Sequence, residues 1–188
     1  MIVMIDNYDS FSYNLVQMAG SIQPDIRVIR NDAMTVDEIL DLKPSHIILS
    51  PGPGRPKDAG ICEALVRRSE GRIPILGVCL GHQGICEVFG AEITHARHLM
   101  HGKQSRVHVN NRHPLFLGLD VEEDVGRYHS LAAAPETIPE CLEITAVDGY
   151  GEVMAVAHRS WPVFGIQFHP ESILTPKGWK IMENFLNM

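Results

Sequence analysis

Four short apolar runs, IVMI (2–5), IRVIR (26–30), HIILS (46–50) and IPILGV (73–78), recur along the first half of the chain with helix-period segments between them. Strands that stay apolar on both faces belong inside a sheet covered on both sides. The helices that join them must cross back over that sheet, so the alternation demands parallel βαβ units. The intervening helices are expected to begin near Ser10 (Tyr13, Val16 and Gln17 onward to Ala19), to open near Thr35 (Val36, Ile39 and Leu40 on one side), and to run from about Asp58 through Arg68.

The second half carries a different pattern. QSRVHVN (104–110), DVGRYHS (124–130), LEITAV (142–147), EVMAVAH (152–158) and PVFGIQFH (162–169) read as successive strands without long helices between them, and GWKIMENFL (178–186) reads as a closing helix. No internal repeat, low-complexity tract or linker divides the chain. The expectation is one α/β domain over residues 1–188, with a mainly parallel central sheet flanked by helices and an antiparallel extension.

A domain of this length can bury a substantial core, and 45% hydrophobic with 21% charged residues is an ordinary globular balance. A formal net charge of −7 argues against nucleic acid as the main partner, because phosphate binding calls for a basic face. No run approaches the roughly 18 apolar residues of a membrane span, and the opening MIVMIDNYDS lacks the basic region of a secretory signal. The four cysteines, Cys62, Cys79, Cys86 and Cys141, form no CxxC pair. The expected home is a reducing cytoplasm.

Cys79 stands out among them. It sits in Gly77-Val78-Cys79-Leu80-Gly81, where the fourth apolar run gives way to a helical pattern. A sharp strand-to-helix turn needs small residues two positions to either side, and it lifts the central side chain above the sheet. At a helix N-terminus the dipole favours a thiolate, and free backbone N–H groups can hold an oxyanion. The plainer alternative is one more buried, inert cysteine.

A nucleophilic cysteine requires a base, and the chain has ten histidines. His95, His98 and His101 are spaced at threes, but no carboxylate or cysteine completes a ligand set, and no metal is expected. His169 ends an apolar strand in FGIQFHPES. Pro170 disfavours a helical conformation for the residue before it, and in an extended chain His169 and Glu171 would point to the same side. A carboxylate so placed can fix the imidazole tautomer and stabilise its cation. A third feature, SPGPGRP (50–56), is a rigid turn able to approach a ligand closely. It has neither the lysine of a phosphate loop nor a GxGxxG fingerprint.

Taken together, GVCLGHQ (77–83), SPGPG (50–54) and FHPES (168–172) resemble the class I, triad-type glutamine amidotransferases. IDNYDSFSYNLV (5–16), RND (30–32), HGK (101–103) and RYHSL (127–131) extend the likeness toward the small subunits of anthranilate and aminodeoxychorismate synthases. The resemblance implies a flavodoxin-like topology and no cofactor. It implies Cys79 as nucleophile, His169 as base and Glu171 as orienting acid. It further implies that Gly52, Pro53 and Gly54 bind L-glutamine through the backbone, with Gly52 and Leu80 giving oxyanion N–H groups. Gln83 would touch the substrate, and Ser130 and Leu131 would hold its α-amino and carboxylate end. The implied partner is a chorismate-binding synthase large subunit on a separate polypeptide.

Two other functions compete. A stand-alone γ-glutamyl hydrolase or peptidase would use the same triad on a different amide, and a regulatory module would keep the fold without turnover. HGK and YHSL disfavour the first. The complete Cys79, His169, Glu171 set disfavours the second.

Overall fold

The computed structural model describes residues 1–100 and 102–188. In chain order the elements are β1 (Ile2–Asp6), α1 (Ser12–Ile22), β2 (Ile26–Arg30), α2 (Val36–Asp41), β3 (His46–Leu49), α3 (Cys62–Ser69), β4 (Ile75–Val78), α4 (Leu80–Val88), β5 (Ile93–His95), β6 (Lys103–Val109), β7 (Glu122–Arg127), β8 (Leu131–Ala133), β9 (Leu142–Asp148), β10 (Val153–His158), β11 (Val163–Ile166) and α5 (Gly178–Leu186). The main sheet has nine strands in the order β2-β1-β3-β4-β11-β10-β9-β6-β7. From β2 to β11 neighbours run parallel, and from β11 onward they pair antiparallel. The first five strands thus follow the flavodoxin-like order, whose ligands bind beyond the carboxyl ends of the strands.

Alternate residues of β1 serve two cores. Ile2 and Met4 join a cluster with Leu15 of α1 and Phe185 of α5, whereas Val3 and Ile5 face Ile39 of α2, Leu65 of α3 and Ile85 of α4. The sheet is therefore covered on both faces, as continuous apolar strands require. Each of these fully buried side chains contributes about 1.5–3 kcal/mol relative to exposure, which is why the sheet can hold a strained turn at the carboxyl end of the interior strand β4.

Several boundaries differ from the sequence expectation. The first helix begins at Ser12 rather than Ser10, because Asp9 Oδ2 accepts the Phe11 N–H at 2.8 Å and holds residues 9–11 in a turn. The second opens at Thr35 as expected, through a reciprocal cap between Thr35 and Glu38. The third starts at Cys62, not Asp58: Pro56–Asp58 form one 3-10 turn, and Gly60 (φ +55) crosses so close to Asn31 that a Cβ would lie 2.2 Å from its carbonyl oxygen. The strand expected over 124–130 ends at Arg127. The short β5–β8 pair, for which the sequence carries no clear strand signal, begins its second strand at Leu131.

Candidate active site

Cys79 occupies the junction between β4 and α4 with φ 53° and ψ −101°, a conformation that L-residues rarely adopt. Such a backbone costs on the order of 1–3 kcal/mol and persists only where its surroundings enforce it. Here they do. The Cys79 N–H donates to the Ile166 carbonyl at 2.9 Å, and its carbonyl accepts from the Gln83 N–H at 3.0 Å. A Cβ on Gly77 would lie 2.4 Å from the Gly81 carbonyl, and one on Gly81 would lie 2.5 Å from the Leu49 oxygen. The two glycines are what allow strand, elbow and helix to pack.

Asn7, just beyond β1, anchors the turn after β3. Its backbone N–H donates to Ser50 Oγ and its Nδ2 donates to the Ser50 carbonyl, both at 2.8 Å. Its Oδ1 accepts from Asn31 Nδ2 at 2.9 Å and from the Cys62 thiol at 3.2 Å. The turn is thus pinned against the elbow: a Cβ on Gly52 would meet Asn7 Cβ at 2.5 Å and the Leu80 side chain at 2.9 Å.

Gly52, Pro53 and Gly54 of this turn, Cys79, Gln83 and residues 128–131 line a cavity of about 190 Å³. The geometry therefore gathers Gln83, Ser130 and Leu131 around Cys79, with Leu80 buried at the elbow beside Gly52. The first N–H groups of α4 have no acceptor within the helix. A larger groove of about 370 Å³ over β6 and β9 is lined by neither thiol nor carboxylate.

His169 and Glu171 come together as the spacing implies, by a different route. The strand β11 stops at Ile166, short of His169. The chain bends, and His169 is then caught by an isolated bridge to Gly126, with its N–H donating to the Gly126 carbonyl at 2.9 Å. Thr175 Oγ1 donates to the His169 carbonyl at 2.6 Å. In this setting His169 Nδ1 donates to Glu171 Oε1 at 2.7 Å, with both side chains at least nine-tenths buried. Among the described residues, buried His169 Nε2 has no hydrogen-bond partner. Burial opposes a charge on this ring, but the neighbouring Cys79 sulfur and Glu171 carboxylate outweigh it and raise the pKa to about 10. The histidine is therefore poised as a cation beside a sulfur. His169 and Glu171 also border a second cavity, of about 280 Å³, reached past Phe11 and Ile173.

Sequence reasoning missed several participants. Gln167 Nε2 lies 3.6 Å from Cys79 Sγ, and its Oε1 accepts from Gln83 Nε2 at 3.1 Å. The Tyr128 ring stands edge-on to His169 at 4.9 Å. Arg127, 1% exposed, pairs with Asp148 at 2.8 Å and Glu152 at 2.6 Å. The available signals were a glutamine inside the apolar run FGIQF and an arginine inside DVGRYHS. Among the described residues no group of three side chains is placed to hold a metal ion. The His98 ring lies tilted against Tyr150 with centroids 4.6 Å apart, and His101, the first position of HGK, lies outside the described residues.

Chemically, the arrangement offers a sulfur on a strained elbow, an imidazolium held by a carboxylate, and a small cavity lined by the 52–54 turn, Gln83 and residues 128–131. The class-I glutamine amidotransferase family model matches residues 3–188. The chain is 48% identical over 186 residues to the aminodeoxychorismate/anthranilate synthase component 2 of Bacillus subtilis, covering 99% of this chain and 95% of that one. It is 50% identical over 189 residues to the bifunctional protein TrpGD of Thermotoga maritima; all of this chain is matched, and it spans 32% of that protein's length. A solved structure from Thermoplasma acidophilum, described as a candidate GMP synthase subunit, superposes with a TM-score of 0.87 at 26% identity, covering 99% of this chain and 92% of that one. No helix among the described residues is long and apolar enough to cross a membrane. With the elbow, the carboxylate-bound histidine and the full-length match in agreement, this chain belongs to the class-I glutamine amidotransferases.

Proposed function

We propose that the chain hydrolyses L-glutamine to glutamate and ammonia, and that the ammonia passes to a separate synthase subunit that aminates chorismate. The observation that carries this reading is the 2.7 Å contact between His169 and Glu171 beside a cysteine that lines a 190 Å³ cavity. The Cys79 thiolate, paired with the His169 imidazolium, attacks the side-chain amide carbon of glutamine. The developing oxyanion is held by the N–H groups of Gly52 and Leu80. The carbon–nitrogen bond breaks as His169 passes its proton to the leaving nitrogen, which releases ammonia and leaves a γ-glutamyl thioester. Water, deprotonated by His169, attacks the thioester, and glutamate departs as the proton returns the pair to its starting state. Gln83, Ser130 and Leu131 hold the rest of the substrate.

The Bacillus subtilis relative carries both synthase names, which supports chorismate amination as the consuming reaction and leaves either aminated product in view. The test supplies glutamine to the chain together with each type of chorismate-aminating large subunit, then measures anthranilate, aminodeoxychorismate and glutamate. Cys79→Ser is expected to abolish glutamine-driven product while ammonia-driven product persists. Glutamine-driven activity in that variant would overturn the reading, and faster cleavage of γ-glutamyl peptides than of glutamine would favour a stand-alone hydrolase.

A further inference from the structure

We propose that His129 is a positioning residue: Arg127 locks it into one neutral tautomer, and in that form it holds the Leu131 carbonyl, and through it Gln83, at the wall of the cavity. The proposal rests on the reading of that cavity as the glutamine site.

Arg127 donates to four partners, the most distant being Ser105 Oγ, which Nη1 reaches at 3.4 Å. Nη1 donates to Asp148 Oδ2 at 2.8 Å and Nη2 to Glu152 Oε1 at 2.6 Å. The Nε–H donates to His129 Nε2 at 3.0 Å. A guanidinium cannot accept a hydrogen bond and does not deprotonate in a protein, so His129 Nε2 must present its lone pair. The single proton of the neutral ring then sits on Nδ1, which lies 2.9 Å from the Leu131 carbonyl, an acceptor. Both partners of His129 thus select the same tautomer.

The Leu131 carbonyl also takes a hydrogen from Gln83 Nε2 at 3.0 Å, and the second hydrogen of that amide goes to Gln167 Oε1 at 3.1 Å. The Gln83 nitrogen is therefore fully engaged, and what Gln83 offers the cavity is its Oε1 acceptor. Gln167 in turn reaches Cys79 Sγ. One chain of hydrogen bonds links a buried arginine to the sulfur through the groups that line the cavity. The charged and titratable groups facing His129 are Arg127, His169, Asp148 and His82. Burial, and then Arg127, hold its pKa down to about 4, so the ring stays neutral at ordinary working pH.

Two measurements test this. In steady-state glutaminase assays with the synthase partner, His129→Leu is expected to raise KM for glutamine about tenfold, the worth of one hydrogen bond, with kcat within about threefold. His129→Asn, whose amide can still donate to the Leu131 carbonyl, should recover most of that loss. In spectra of the ¹⁵N-histidine-labelled protein, His129 should show a protonated Nδ1 and no titration from about pH 5.5 to 8, well above its depressed pKa. The combined variant Arg127→Met, Asp148→Asn, Glu152→Gln removes the buried cation with both counter-charges, so no unpaired charge is left to unfold the protein. In it the His129 resonances should titrate or show mixed tautomers. A KM within twofold of wild type in folded His129→Leu, or a wild-type His129 protonated on Nε2, overturns the proposal. Failure of the wild-type complex to hydrolyse glutamine overturns the reading of the cavity instead.

Discussion

His169 Nδ1 donates to Glu171 Oε1 at 2.7 Å inside a pocket that leaves neither side chain more than 5% exposed. A charged acceptor in such a setting strengthens the hydrogen bond and favours the imidazolium. Glu171→Gln keeps an acceptor oxygen of the same shape but loses the charge. The difference between a charge-assisted and a neutral hydrogen bond is about 1–2 kcal/mol, so glutaminase kcat is expected to fall roughly 5–30-fold. Alkylation of Cys79 should persist at a reduced rate. A variant with wild-type turnover would mean that another group orients His169.

Stability depends on pH through the same ring, whose charge burial opposes and the Cys79 sulfur and the Glu171 carboxylate together favour. The His169 pKa rises from its ordinary value near 6.5 to about 10 on folding. The folded state therefore binds this proton more tightly, and the stabilisation it brings is complete below about pH 6.5 and lost as pH climbs through 10. Glu171→Gln lowers the folded pKa, so less stabilisation remains to be lost. Thermal melts of the two proteins should converge as pH rises from 6.5 toward 10. A gap independent of pH would remove His169 as its source.

Cys79 predicts an inverted preference for glycine. At ordinary positions Ala is more stable than Gly by about 0.5–1 kcal/mol. At φ 53° and ψ −101° an L-residue instead carries strain of order 1–3 kcal/mol. Cys79→Gly is therefore expected to be more stable than Cys79→Ala by about 1 kcal/mol, with both inactive. Denaturant unfolding decides; Ala above Gly would show that the elbow is not strained.

What was legible in the sequence follows from how local the cause is. The parallel half reads out because strands covered on both faces are continuous apolar runs. The elbow reads out because Gly77 and Gly81 flank Cys79 directly. The helix boundary at Cys62 does not, since it depends on Gly60 meeting Asn31 across the fold. Nor does the length of β11, which is shorter than its apolar run at both ends: Pro162 precedes it, and beyond Ile166 the chain bends to carry Gln167 toward Gln83 and Cys79. Arg127 was invisible as a buried group, because Asp148 and Glu152, which neutralise it, lie on the hairpin between β9 and β10 and become neighbours only in the folded sheet.

Gly52 separates a steric effect from a conformational one. Its Cβ would meet Asn7 and the Leu80 side chain within 3 Å, so Gly52→Ala must push the turn off the elbow. Loss of one oxyanion donor costs about 10²–10³ in kcat, and that fall is expected with only about 1–3 kcal/mol of overpacking cost. Gly54 has φ +81, and a Cβ there would have open space, with nothing within 4 Å. Gly54→Ala should therefore lose about 1–2 kcal/mol of stability from backbone strain and far less rate. Equal losses of rate at the two positions would show that Gly52 has no special part in the turn.

One surface loop is tied to the wall of the cavity. Segment 128–131 is tied to that loop: the Ala96 N–H donates to the Ser130 carbonyl at 2.9 Å and the Met100 N–H to the His129 carbonyl at 3.2 Å. The Arg97 N–H donates to Glu152 Oε2 at 2.9 Å, on the carboxylate that also holds Arg127. Leu99 projects from this loop, 58% exposed. A partner that settles on the loop would therefore shift backbone bonded directly to the wall of the cavity. The isolated chain is expected to be a slow glutaminase that speeds up on adding its chorismate-aminating subunit. By reciprocity of binding, glutamine should tighten that complex by the same factor by which the partner tightens glutamine. Leu99→Glu should weaken complex formation while leaving the slow rate of the isolated chain as it was. Glutaminase kinetics on the chain alone, with the partner, and with the partner plus chorismate provide the measurement. Full turnover without any partner would rule out this coupling and favour a hydrolase that works alone.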